Sequence, residues 1–383
     1  MARFDLIVIG GSFAGLACAR TAALRGLKVA VLDAKSEPGA RVRTTGILVK
    51  EATDDCDLPA HLMRKIPGVR LYSPDGRALD LHAPGYFFQA TETAGLLRWM
   101  ADEAGRAGAR LFYGQRFEGA SADAYGVSMP GFSAHYLIGA DGARSRVAQF
   151  FGLGRNRRFL VGAEIECEQV ASMDARFLHC FADSAIAPGY IGWAVPGHGI
   201  LQIGVAAKNG SKPDLAGLTE RVSRLLGVDR LRVRERRSGL IPTSGPVAQL
   251  GRGRVLLIGD AAGLVSPVTG GGIHTALNFG RRAAQLVGDY LMDRGPHPLA
   301  PFEREVPRYR LQLAMRGVLN LAPPNFAINA LLMTAPMRQL AQRLYFHRRG
   351  GDPASFEAWT RAFENGDPGP MRSPVGNAEL RCI

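Results

Sequence analysis

Gly10-Gly11-Ser12-Phe13-Ala14-Gly15 stands between a short apolar run and a stretch of small residues, and Asp33 closes the next apolar run 23 residues after Gly10. Each of these residue types has a use. Gly10 permits a tight turn, and Gly15 lets a helix pack close against a strand. The N-terminus of that helix faces a pyrophosphate, and Asp33 can accept from ribose hydroxyls. Ser12 stands where a second glycine normally lets the backbone approach the pyrophosphate, so it either crowds that approach or donates its hydroxyl. An ordinary strand-to-helix turn would need the glycines but not the acid at the end of the following strand.

Two further segments have the same character. Residues 135–147 run from an apolar stretch into Asp141-Gly142, and residues 255–273 run from Val255-Leu256-Leu257-Ile258 into Gly259-Asp260, then Pro267 and Gly270-Gly271-Gly272-Ile273. An acid at the end of a buried strand is placed to accept hydrogen bonds from a polyol. A glycine run opening a helix offers N–H groups to a developing negative charge.

The elements that must hold these motifs follow from hydrophobic spacing. Residues 5–9 and 28–32 read as buried strands around a helix over 14–25, the opening of a βαβ unit. Residues 69–82 alternate as a hairpin about Asp75-Gly76. A helix over 94–107, strands at 110–113 and 136–139 and a helix at 145–151 follow. Strands at 159–166, 176–181, 190–195 and 201–206 surround a helix at 215–226, as expected of a mostly antiparallel domain inserted into an α/β one. A strand at 254–258, a long helix over 273–293 and helices separated by prolines from 301 onward complete the chain.

Taken in order, the three motifs resemble the flavoprotein superfamily of p-hydroxybenzoate hydroxylase over residues 1–295. The resemblance implies a fold class, α/β with α+β character overall: a Rossmann-like FAD-binding domain with an inserted antiparallel-sheet substrate domain and C-terminal helices. The implied boundaries are 1–68, 94–157 and 247–300 for the FAD-binding domain, 69–93 and 158–246 for the substrate domain, and 301–383 for a helical region and tail. By the same resemblance Gly10, Ser12, Phe13, Ala14, Gly15 and Asp33 hold the ADP half of FAD. Arg41 and Arg43 approach the cofactor, Asp141 and Gly142 lie by it and by the reductant's approach, and Asp260 binds the ribityl chain. Gly259, Pro267, Gly270 and Ile273 flank the flavin, whose negative charge meets the N–H groups of Gly271 and Gly272. The chain has no second dinucleotide fold, so NADPH, NADH or another reductant would bind transiently.

Within that superfamily the Gly-Asp segment is similar to the geranylgeranyl reductase family, since Gly263 stands where the hydroxylases carry histidine. Gly189-Tyr190-Ile191-Gly192-Trp193-Ala194-Val195-Pro196 resembles the Tyr-x-Trp-x-x-Pro element that lines the isoprenoid pocket of those reductases. It has one more residue between Tyr190 and Trp193, and Gly197 where lysine is common. No cysteine occurs in Arg43-Thr44-Thr45-Gly46, where several of these reductases carry one. Tyr190, Trp193 and Pro196 are thereby expected to line a substrate pocket; the bland alternative for the aromatic pair is core packing. His274 is read as capping a helix start rather than as a general acid. Lys50 suggests a flavin halogenase, but only Trp193 and Pro196 of the Trp-x-Trp-x-Ile-Pro element are present.

Composition excludes several classes. The 383 residues are 46% hydrophobic and 21% charged, which suits a folded chain rather than a disordered one. Cys18, Cys56, Cys167, Cys180 and Cys382 form no C-x-x-C pair, so a reduced compartment is expected, with no disulfide and no structural zinc. Asp5 interrupts the N-terminal apolar run, which argues against a signal peptide. The uncharged stretch 317–337 contains Pro323, Pro324 and Pro336 and is unsuited to span a bilayer. Eight arginines between positions 304 and 349 face one acid, Glu305, so more than half of the +13 formal charge lies there. Ala330, Leu331, Met337, Leu340, Leu344 and Tyr345 beside Arg338, Arg343, Arg348 and Arg349 suggest a membrane surface or a diphosphate head group, against the alternative of a solvated basic face.

The expectation is a cytoplasmic FAD-dependent reductase, monomer or dimer, peripheral on the inner membrane face if membrane-bound at all, taking a hydrophobic small molecule and no nucleic acid. The alternatives are a flavin monooxygenase acting on an aromatic or polyketide-like molecule, which would need oxygen, and a flavoprotein without turnover.

Overall fold

The computed structural model describes residues 2–54, 58–168, 173–228 and 231–346. Cys56, Cys382, Arg348, Arg349 and the tail after Gly366 lie outside the described residues. The chain divides into two units, each assembled from three stretches.

The first unit comprises Met1–Thr44, Thr93–Phe159 and Leu240–Arg316. Its sheet runs in the order Gly251–Arg252, Val255–Leu257, Phe132–Gly139, Ala2–Ile9, Val29–Asp33, Arg110–Tyr113, with a small hairpin of Ser121–Ala122 and Val127–Met129 attached. The five strands from Val255–Leu257 onward pair in parallel. Leu6, Ile7, Val8 and Ile9 are all buried, as a parallel strand covered on both faces requires. Helix Phe13–Leu24 owes its close seat to small side chains: a Cβ at Gly280, in helix Ile273–Leu291, would lie 2.4 Å from the carbonyl oxygen of Ala14. The register Ile9↔Gly139 and Gly139↔Leu257 brings Gly10, Asp141 and Gly259-Asp260 to one end of the sheet. That end, outside the carboxyl termini of parallel strands, is where open α/β sheets bind ligands.

The second unit comprises Thr45–Glu92, Leu160–Gly239 and the chain from Gly317. Its larger sheet runs Val233–Pro242, Phe159–Glu168, Ile200–Lys208, Gly192–Pro196, Phe177–Phe181, Gly68–Tyr72, Ala78–His82. One face meets helix Leu215–Leu226 through Leu218 and Val222. Asp214 caps that helix on the N–H of Gly217 at 2.9 Å, and Gly227 ends it in the left-handed conformation. The other face, with Leu71, Leu178, Cys180 and Val195, packs against Leu332, Ala341 and Phe346 of the last helices.

Three features depart from the sequence expectation. Residues 45–68 cluster with the second unit, because Ile47–Val49 and Met63–Ile66 both pair with Phe88–Thr91 in a separate three-stranded sheet. The chain from 301 is no separate region: its part up to Arg316 clusters with the first unit and the remainder with the second. Met337 and Tyr345, expected on an outward apolar face, pack instead against the sheet core. Among the described residues from 301 onward the exposed large apolar side chains are Leu311, Val318, Leu321, Phe326, Leu331 and Leu340. No helix among the described residues is long and apolar enough to cross a membrane.

Candidate functional site

In the first unit Gly10 takes φ +109, and a Cβ there would lie 2.3 Å from the carbonyl oxygen of Ala140, so only glycine lets the turn pass the neighbouring strand end. A Cβ at Gly15 would meet the carbonyl oxygen of Gly10 at 1.8 Å. Ser12 is extended (φ −122, ψ −166), which any side chain tolerates, and its hydroxyl makes no cap bond to the helix. The first turn, with Phe13 and Ala14 buried, therefore has no side-chain cap on its N–H groups. Asp33 is buried and fixed by the backbone: Gly11 N–H donates to Oδ2 at 2.6 Å and Lys35 N–H to Oδ1 at 2.8 Å.

Arg41 and Arg43 are both exposed, and Arg41 holds a positive φ of 48. Sequence reasoning missed the third cation of this corner, Lys35. Burial lowers its ammonium pKa, Asp33 opposes that shift, and Arg43 and Arg41 add to it, so the three cations gather beside the acid. Its position two residues beyond Asp33 was the available signal.

Asp141, expected beside the cofactor, is anchored locally. Its carboxylate accepts from Ser145 Oγ and Arg146 N–H, both at 2.6 Å, and from Val147 N–H at 3.1 Å, tying down the short helix Arg146–Phe150. A Cβ at Gly142 would meet open space. Asn156, also missed, joins two motifs by donating to the carbonyls of Ala143 at 3.0 Å and Asp260 at 2.8 Å. No periodicity marks such a link.

Asp260 lies beside the start of helix Ile273–Leu291, where a Cβ on Gly272 would sit 3.6 Å from its Oδ1. Desolvation pushes its carboxyl up to about 6. Gly259 and Gly270 adopt positive φ and Pro267 is buried, which shapes the loop around this acid. Gly272, the residue preceding Ile273, provides no side-chain cap, and the N–H of Gly271 reaches only Thr269 Oγ1 at 3.4 Å. His274 pairs with Asn278 one turn along, Nε2 to Nδ2 at 2.7 Å.

In the second unit Tyr190 lies in the turn before strand Gly192–Pro196, and Pro196 is buried at the strand's end. Trp193 packs against the apolar face and donates from Nε1 to Glu164 Oε2 at 3.0 Å. Thr45 Oγ1 donates to the same oxygen. Neither Glu164 nor Thr45 carries a sequence motif, and they lie 119 positions apart. A groove of 490 Å³ on the other side of this sheet, lined by Ile165, Leu215, Thr219 and Arg236, contains none of the expected site residues.

The first unit thus presents a helix start suited to a pyrophosphate, a fixed acid suited to ribose hydroxyls, and a second acid beside another helix start, suited to a polyol. This donor set fits FAD. The model of the FAD binding domain family matches residues 3–286. The digeranylgeranylglycerophospholipid reductase of Methanothrix thermoacetophila is 29% identical, over 79% of this chain and 82% of that protein. The geranylgeranyl diphosphate reductase of Rhodobacter capsulatus is 30% identical, over 78% of each. A solved structure of a geranylgeranyl bacteriochlorophyll reductase-like protein from Thermoplasma acidophilum superimposes with a TM-score of 0.79 at 21% identity, covering 91% of this chain and 98% of that one, a likeness of fold.

Proposed function

Because the chain belongs to the FAD binding domain family and, within it, to the geranylgeranyl reductases, we propose that it reduces carbon–carbon double bonds of an isoprenoid or related lipid chain. It is an FAD-dependent oxidoreductase. Bound FAD supplies the hydride once NADPH, NADH or another reductant has reduced it.

Phe13 and Ala14 meet the pyrophosphate at the helix start, with Gly10, Ser12 and Gly15 shaping the turn, and Asp33 takes the ribose. Lys35, Arg41 and Arg43 add positive charge at that corner. Asp260 accepts from the ribityl hydroxyls. The backbone N–H groups of Gly271 and Gly272 hold the flavin's negative charge, inside a loop formed by Gly259, Pro267, Gly270 and Ile273. Gly142 contributes backbone, while the carboxylate of Asp141 holds the helix that follows.

The observation that supports the substrate class is the sheet face bearing Trp193, where Leu71, Leu178, Cys180 and Val195 gather beside the Glu164 carboxyl that takes its indole, a lining suited to a long carbon chain. Tyr190 and Pro196 border that strand and orient the chain. Anaerobic titration of the reduced protein with geranylgeranyl diphosphate tests the reading. Return of the oxidised flavin absorbance without oxygen is expected; return only with air would favour oxygen-dependent hydroxylation instead.

The membrane part of the reading rests on residues 317–346, which contain no acid. Leu321 is 79% and Phe326 76% exposed, and Arg338 and Arg343 are exposed. Large apolar side chains among arginines suit an anionic lipid surface, from which a prenyl lipid would be drawn.

A further inference from the structure

Arg144, Arg146, Arg155, Arg157 and Arg158 fall in a run from 142 to 163 that contains no acid. All five are exposed. Among the described residues none of their side chains meets an acid or a hydrogen-bond partner; the bonds of Arg146 to Asp141 and of Arg158 to Ser244 are made by backbone N–H groups. Elsewhere on the surface Arg77, Arg176 and Arg282 each lie against a carboxylate.

The fold gathers the five. Asn156, between Arg155 and Arg157, donates to the carbonyl of Ala143 at 3.0 Å, which sets both arginines beside Arg144. The same amide donates to the carbonyl of Asp260 at 2.8 Å, and the Asp141 carboxylate takes the N–H of Arg146 at 2.6 Å. The cluster therefore sits at the carboxyl end of the parallel sheet, against the loop assigned to the ribityl chain. All of these residues belong to the first unit. Phe150, on the same short helix as Arg146, keeps 51% of its surface in water. Its ring is nevertheless fixed: Phe117 and Phe151 meet it edge-on at centroid distances of 5.7 and 5.1 Å, and a Cβ on Gly119 would lie 2.6 Å from it. A half-exposed aromatic held rigid is an anchor that loses little freedom on binding.

Five unpaired cations call for an anionic partner, and exposure decides its class. Small-molecule pockets bury most of their ligand. Guanidinium groups that are all exposed, beside an exposed ring, suit the face of another protein. The larger sheet of the second unit pairs mostly antiparallel, so it supplies no second nucleotide fold for NADPH or NADH. Position decides the role, because cations at the cofactor end of the sheet steer an acidic donor toward the flavin.

We propose that this surface docks an acidic one-electron carrier protein, and that the carrier is the reductant of the bound FAD. Two reduced carriers in turn each give up one electron, and the pair passes to FAD with one proton from solvent. Each carrier leaves oxidised, and the two electrons and the proton depart together as the hydride given to the substrate. Encounters of this kind bury little area and depend on complementary charge. The proposal rests on the oxidoreductase reading for its FAD, not on the isoprenoid chain.

The test uses the FAD-loaded full chain and, as probe, an acidic ferredoxin with a two-iron, two-sulfur cluster. Oxidised ferredoxin immobilised on a sensor should retain the protein at about 20 mM salt and release it at about 500 mM. Reduced ferredoxin mixed with the protein without oxygen should bleach the flavin at a rate proportional to ferredoxin concentration. Arg155→Glu combined with Arg157→Glu should lower both the binding constant and the second-order bleaching rate by about tenfold or more at low salt. Its FAD occupancy and its reduction by dithionite should match wild type. Arg110→Glu combined with Arg294→Glu makes the same change in net charge at exposed positions, Arg110 opening a strand at the opposite end of the sheet, and should stay within about threefold of wild type. Equal losses in the two double variants, a rate insensitive to salt, or a wild type that ferredoxin neither binds nor reduces overturns the proposal. So does reduction by NADPH alone with a raised KM in Arg155→Glu/Arg157→Glu, which makes the cluster a dinucleotide site, or retention by anionic liposomes but not by ferredoxin, which makes it a lipid surface. Geranylgeranyl diphosphate takes no part, so failure of the isoprenoid reading leaves each of these readouts unchanged.

Discussion

The indole of Trp193 occupies the space that a side chain at Gly204 would fill: a Cβ there would lie 2.4 Å from the ring. The two residues are cross-strand partners, and the missing side chain is what lets the indole lie across the sheet to Glu164. Gly204→Ala should displace the ring and break its bond to Glu164, costing about 1–3 kcal/mol through overpacking. The denaturant midpoint measures this, and an unchanged midpoint would show that the ring can be moved without loss.

Gly15→Val places side-chain atoms where the carbonyl of Gly10 lies. The helix must move from the strand end, taking the N–H groups of its first turn with it. FAD should bind at least tenfold more weakly than to wild type, about 1.4 kcal/mol of lost binding, so occupancy at an FAD concentration near the wild-type Kd should fall accordingly. Occupancy is read from the ratio of flavin to protein absorbance.

Asp260 makes the flavin-free protein pH-sensitive. Its carboxyl is raised from 3.8 to about 6, so below about pH 4 both folded and unfolded chains are protonated and stability is not reduced. As pH rises toward about 6 the unfolded chain ionises first, and folding loses up to about 3 kcal/mol. Asp260→Asn should remove this decline, as denaturation midpoints between about pH 4 and about pH 7 would reveal.

Arg221 and Asp183 form a buried pair at 2.6 Å, and Asn325 donates to the second oxygen of Asp183 at 2.8 Å. Arg221→Ala leaves that carboxylate without its cation and should cost about 3–5 kcal/mol. Asn325→Ala should instead loosen the chain around Pro323, seen as faster limited proteolysis there with a smaller change in global stability.

Leu321→Glu combined with Phe326→Glu places acids among exposed apolar residues of a segment that has none. Cosedimentation with anionic liposomes at low salt should drop at least tenfold, while FAD occupancy stays unchanged. Wild-type protein that fails to sediment would remove the membrane reading altogether.

Local signals made much of the fold legible. The helix expected over 215–226 matches Leu215–Leu226, which Asp214 and Gly227 punctuate, and the hairpin expected over 69–82 matches strands Gly68–Tyr72 and Ala78–His82, whose turn Asp75-Gly76 marks. Strand Val233–Pro242 escaped notice because four of its first five residues are charged, hiding the alternation that one buried member, Arg237, obeys. The three-stranded sheet escaped because Ile47–Val49 is too short to show a period. In the candidate site, glycines and strand-end acids announce themselves by type and spacing. Glu164 and Arg237 do not, since their meaning lies in a meeting across 73 positions that no local window contains.

The strands that end at Gly10, Asp141 and Gly259 are neighbours in one parallel sheet but are translated far apart in time. Val255–Leu257 is synthesised about 10–50 s after Ala2–Ile9 at typical rates. Until then the buried run Leu6–Ile9 of the first strand has no complete sheet to join, and the early segments need protection from aggregation. FAD capture is therefore a late event in biogenesis, and flavin occupancy serves as a readout of completed synthesis and closure of the first unit. A chain truncated before Val255 should emerge colourless, whatever the integrity of its glycine turn.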